Sequence, residues 1–151
     1  MGEDLLCVAA GRRSEHVIDA MRPAIAQHLI RPVPGELAYE FHHELVREAA
    51  YAELLPGERQ AVHAAISRYL AAERNEDLDP THLALVAYHW TQADDHLHAI
   101  PALIAAGAAA MGSTGSAEAY DQLSRAIRWW LRSGGTPAEE IAPGWDLTRA
   151  A

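Results

Sequence analysis

The stretch Tyr39–His63, YEFHHELVREAAYAELLPGERQAVH, decides the fold. Leu37, Tyr39 and Phe41 fall on one face of an extended segment, which predicts a short strand. From His43 to Leu54 the period becomes helical: Leu45, Val46, Ala49, Ala50 and Leu54 form one stripe, with Glu44, Arg47, Glu48 and Glu53 off it. Glu44 and Glu48 stand near the helix start, where the dipole favours negative charge. Pro56-Gly57 stops that helix, and a second is expected from about Glu58 to Arg74 with Val62, Ile66, Tyr69 and Leu70 inward.

Upstream, the pattern predicts three short helices: residues 3–10 closed by Gly11, Ser14 to Met21 with Ser14 as cap, and a third opened by Pro23 and running to about Leu29. Ile30 to Val33 can pair with the strand through a Pro34-Gly35 turn, the prolines limiting it to an edge. Three short helices and a small hairpin make residues 1–55 a winged-helix-like domain. Downstream, residues 56–133 read as a helical arm, and residues 134–151 as a poorly ordered tail punctuated by Gly134-Gly135, Pro137, Pro143 and Gly144. Asp79-Pro80 is a capped helix start, followed by a stripe of Leu83, Val86, Ala87 and Trp90. Asp94 or Asp95 opens the next helix, which Pro101 should bend, and the last spans about Ser116 to Leu131 with Tyr120, Leu123, Ile127 and Trp130 or Leu131 inward. Ala99-Ile100-x-x-Leu103-x-x-Ala106 recurs as Ala119-Tyr120-x-x-Leu123-x-x-Ala126, an echo between neighbouring helices that favours stacked antiparallel pairs of the tetratricopeptide (TPR-like) kind. The fold class is therefore mostly α.

Composition narrows the function. The formal charge is −9, and all twelve basic residues are arginine. Phosphate neutralisation needs clustered cations, so direct DNA binding is not expected, and the candidate recognition helix Arg22–Ile30 offers only Arg22, Gln27 and His28. Without lysine, a P-loop is impossible. Cys7 is the single cysteine, which suits a reducing cytoplasm, and the acidic start is unlike a signal peptide. No apolar run approaches the ~18 residues of a membrane span. The expectation is a cytoplasmic protein with no membrane partner.

Nine histidines raise the possibility of a metal. His42-His43-Glu44 resembles a zinc-protease motif, but the second histidine due one turn later is Arg47. His82 and His89 share a helical face, with His96 and His98 in the following turn, yet nothing in the spacing enforces a ligand set. No catalytic residue, metal or cofactor is expected, and the chain is read as not an enzyme. Trp129-Trp130 point about 100° apart on a helix, so one faces away from the local core and is a candidate partner-binding residue.

One phrase is more specific than any periodicity: Phe41, His43, Leu45, Val46, Arg47, Glu48, Tyr51, Leu54, Pro56, Arg59 and His63. It resembles a segment of bacterial LuxR-type, signal-transducing (STAND, AAA-like) ATPase transcriptional regulators, just after their nucleotide-binding module. Ala87-Tyr88-His89-Trp90, Asp94-Asp95 and Ala99-Ile100-Pro101 resemble the onset of that family's TPR-like arm. The resemblance covers about Leu5 to Leu131 and implies a regulatory segment that relays nucleotide or inducer state, with a protein partner: the nucleotide-binding module or another regulator domain. It also implies a phosphate contact for His43 in a full-length regulator. The alternative is a stand-alone TPR-like adaptor.

Overall fold

The computed structural model describes residues 1–72, 79–113 and 115–135. The chain divides into two compact units, residues 1–69 and 70–151. The expected end of the helix near Arg74 and, beyond residue 135, the expected tail lie outside the described residues.

The first unit holds α1 (Glu3–Ala10), α2 (Ser14–Ala26), β1 (Ile30–Pro32), β2 (Tyr39–Phe41), α3 (Glu44–Glu53) and most of α4 (Pro56–Ala72). Alternation and the Pro-Gly turn give an antiparallel hairpin in the register Ile30↔Phe41, Arg31↔Glu40, Pro32↔Tyr39. Gly35 takes the left-handed conformation (φ 81°) that the turn needs. The other edge of β2 is used as well. Gly2 bridges Ala38, and the Glu3 amide donates to the Leu37 carbonyl at 2.9 Å. Pro32 thus sits on the free-edge strand, where its missing N–H does no harm.

Two helices, not three, precede this hairpin. The helix expected to begin at Pro23 is the last turn of α2, and Pro23 lies inside it. Proline removes one donor to the carbonyl four residues back, here that of Asp19, which is exposed where water can serve it. Ser14 is the first helical residue rather than the cap, and its hydroxyl donates to the Glu3 carboxylate instead. Pro56 and Gly57 likewise belong to α4 and open it.

The second unit holds α5 (Pro80–Gln92), α6 (His96–Ser113) and α7 (Ser116–Arg132). Asp79 caps α5, accepting from the Thr81 amide at 3.1 Å. Asp95 caps α6, accepting from the His98 amide at 3.3 Å. Helix α6 packs against both α5 and α7 and buries Ala99, Ile100, Ala102, Leu103, Ala105, Ala106 and Ala110. Small side chains let the helices close up: a Cβ on Gly107 would stand 2.8 Å from Leu123 Cγ and 2.9 Å from Leu123 Cδ2.

That close approach changes which face of α7 turns inward. Its buried residues are Ala119, Gln122 and Ala126, whereas Tyr120, Ile127 and Leu131, expected inward, are exposed. Size misleads there: the helix offers α6 mainly Ala119 and Ala126, with Leu123 seated on Gly107 beside them. None of the helices among the described residues is long and apolar enough to cross a membrane.

Gly107→Ala is therefore expected to destabilise the second unit by about 1–3 kcal/mol, the range for overpacking. Chemical denaturation of the full chain, with Ala108→Gly as a helix-propensity control, reads this directly.

Candidate functional site

The side chains that gather most closely in the first unit lie at the corner between α3 and α4. Helix α3 ends at Glu53, and Leu54 turns extended (φ −65°, ψ 130°). The last carbonyls of a helix have no partner of their own. Arg59, in the first turns of α4, reaches back to them: its Nη2 donates to the Tyr51 and Leu54 carbonyls, each at 3.3 Å. Its guanidinium carbon also lies 4.5 Å from the centre of the Tyr51 ring. The start of α4 is closed by Glu58, whose carboxylate accepts from the Leu55 amide at 2.9 Å, the return half of a capping box.

His63 lies one turn beyond Arg59 on the same face of α4. Its Nε2 is 3.0 Å from the Tyr51 hydroxyl, and the two rings meet edge-on with centroids 5.9 Å apart. His63 is only 6 % exposed. Burial, and secondarily the positive charge of Arg59, hold its pKa below the ordinary value. A neutral imidazole can accept the Tyr51 hydroxyl proton at Nε2. Arg59 Nε is buried with no hydrogen-bond partner among the described residues.

Tyr51, Leu54, Arg59 and His63 all belong to the phrase that carries the family resemblance. Four of its residues therefore converge on one helix corner. The contact from Tyr51 to His63 spans the break between two helices, which periodicity does not see.

His43 stands at the N-cap of α3, exposed, with no side-chain capping bond. Its carbonyl accepts from the Val46 amide at 3.0 Å, and its ring lies 5.3 Å from that of His42, which is 6.4 Å from His28. Arg47 donates from Nε to the Glu44 carboxylate at 2.8 Å, and this bond holds the Glu44 pKa below its ordinary value. Leu37, Leu45 and Leu55 are exposed large apolar side chains of the same unit.

Trp129 and Trp130 lie in the other unit. The Arg132 guanidinium stands 4.4 Å over the Trp129 ring. Trp130 is partly exposed, and the chain returns to it: the Gly135 amide donates to the Trp130 carbonyl at 3.0 Å, and a Cβ on Gly135 would lie 3.4 Å from the indole. The histidines of the arm have structural partners. His82 Nε2 is 3.0 Å from the Leu70 carbonyl, and His98 stacks on Trp90 at 4.4 Å while its Nδ1 is 2.8 Å from Asp95. Among the described residues, no group of three or more histidine, cysteine or acidic side chains is placed to hold a metal ion.

The lowered pKa of His63 gives the corner a pH signature. The unfolded chain takes up a proton near the ordinary value of 6.5 before the folded chain does, so stability is full above that pH and falls as pH drops toward the folded value. The thermal midpoint should decline between pH 7.5 and 5.5, and His63→Gln should flatten the decline; an unchanged slope in the variant would place the pH dependence elsewhere.

No family model, curated protein or solved structure matches this chain.

Proposed function

We propose that this chain is a non-catalytic regulatory and protein-interaction segment of an ATP-dependent bacterial transcriptional regulator of the LuxR-type, signal-transducing ATPase kind. The observation that carries the reading is the α3–α4 corner. Residues of the resemblance phrase that lie up to twelve positions apart, Tyr51 and His63, meet there at 3.0 Å with Arg59 beside them. A chance match to a helical pattern has no reason to bring its polar members into one interlocked cluster.

In this reading, the first unit plays the winged-helix-like part and seats against a nucleotide-binding module. Its exposed Leu37, Leu45 and Leu55 suit that contact, since desolvating large apolar side chains drives association. His43, exposed at the start of α3, supplies in this reading the phosphate contact that the resemblance implies. Helices α5, α6 and α7 form the onset of a TPR-like arm, through which nucleotide or inducer state is relayed. The segment works in the cytoplasm, needs no cofactor of its own, and reaches DNA through another domain. The net charge of −9 supports that last point.

A second reading, a stand-alone TPR-like adaptor that binds a protein partner, is favoured by a different observation. The outer face of α7 exposes Tyr120, Ile127 and Leu131, as a helical stack does where another element docks.

Calorimetric titration of the full chain with a separately expressed nucleotide-binding module encoded nearby in the same genome separates the two. The regulator reading expects association, weakened roughly tenfold or more by Leu45→Asp with Leu55→Asp. Absence of any such module nearby, or failure of the module to bind, removes that reading and leaves the adaptor.

A further inference from the structure

Helix α7 is apolar over far more of its circumference than α6 covers. At about 100° per residue, Ala119, Gln122 and Ala126 form one stripe, and Tyr120, Leu123, Ile127 and Leu131 form a second beside it. The first is buried against α6. The second is largely bare: Tyr120 is 75 %, Ile127 59 % and Leu131 63 % exposed. The sequence echo between α6 and α7 sets off the contrast. Ile100 of α6 is 2 % exposed, whereas Tyr120, its counterpart in α7, faces solvent. Helix α6 has a neighbour on each side, α5 and α7.

We propose that the α7 stripe seats the α7 of a second copy of this chain, in an antiparallel pair related by a two-fold axis. The charges beside the stripe select this occupant. Asp121 and Arg128 lie on the same flank, seven residues apart, both exposed. In an antiparallel helix pair like flanks face each other. The midpoint between Asp121 and Arg128 falls within a single residue of the midpoint between Tyr120 and Leu131. One axis therefore sets Tyr120 against Leu131 of the other copy and Asp121 beside its Arg128, and the symmetry makes each pairing twice. The contact of Asp121 with the half-buried Arg125 in its own helix, at 4.0 Å, is too long to saturate the exposed carboxylate. Each copy supplies a helix to cover the other's exposed stripe. The inference rests on α7 alone, and in it the occupant of this face is a second copy rather than the partner of the adaptor reading or a further helix of the arm.

The contact is a single helix face, at the small end of specific interfaces, so a dimer of roughly micromolar dissociation constant is expected. Sedimentation equilibrium of the full chain from about 1 to 200 μM should show a monomer–dimer equilibrium in that range. Ile127→Glu should raise the dissociation constant roughly tenfold or more, with the far-ultraviolet circular dichroism unchanged. Asp121→Arg and Arg128→Asp should each weaken the dimer, and the two together should restore it. That charge exchange uses exposed positions, so it decides the matter even if Ile127→Glu unfolds the helix. A monomer at every concentration, as when the chain's own residues or a different protein cover the stripe, overturns the proposal. So does a dimer indifferent to the charge exchange.

Discussion

Arg59 reaching back across the break between α3 and α4 is the interaction on which the first unit depends. A helix that stops at an extended residue leaves carbonyls without donors, and a proline at the start of the next helix brings none. The guanidinium fork meets both needs at once: it donates to two of those carbonyls and lies over the ring of the tyrosine that owns one of them. Lysine could supply the charge but neither the fork nor the flat face. With the corner set, α4 starts at Pro56, and His63, Ile66 and Ser67 of its inner side are buried. The helix then carries the chain into the second unit, where Leu70 receives His82. The arrangement has a condition attached. A histidine buried beside an arginine is comfortable only when neutral, so the corner is tied to the protonation state of His63.

The second unit depends on a different constraint, which is size. Alanine and glycine along α6 remove the spacing that larger side chains would impose, and α7 comes close enough for Leu123 to rest on Gly107. Close approach buries little area per residue but many contacts, and it excludes tyrosine and isoleucine from the contact face. Those residues are left on the outside of α7, where the proposed dimer uses them as a binding surface. Packing and interaction are thus two sides of one helix, divided by side-chain volume.

Much of this was legible in the amino-acid pattern. Alternation around Tyr39 and Phe41 and the Pro34-Gly35 turn specify the hairpin, and Asp79-Pro80 and Asp95 mark helix starts that the structure keeps. Pro23 was not legible in the same way, because proline suits both the first turn of a helix and an exposed last turn. On the inner face of α7, Leu123 packs on Gly107 as its spacing suggests, but Tyr120 and Ile127 yield to alanine, which periodicity alone cannot arbitrate. At the corner, Tyr51, Arg59 and His63 stand in the resemblance phrase, but no site reading of the sequence singles them out. That Tyr51 meets His63 follows from the angle between two helices, which no spacing in the sequence records.

The central claim is that Tyr51, Arg59 and His63 act as one interlocked corner rather than as independent surface residues. A double-mutant cycle with Tyr51→Phe and His63→Gln, read by chemical denaturation of the full chain at pH 7.5, tests it most directly. The account predicts a coupling of about 1 kcal/mol, the ordinary worth of a partly buried hydrogen bond between neutral groups. Destabilisations that add to within about 0.3 kcal/mol would contradict it.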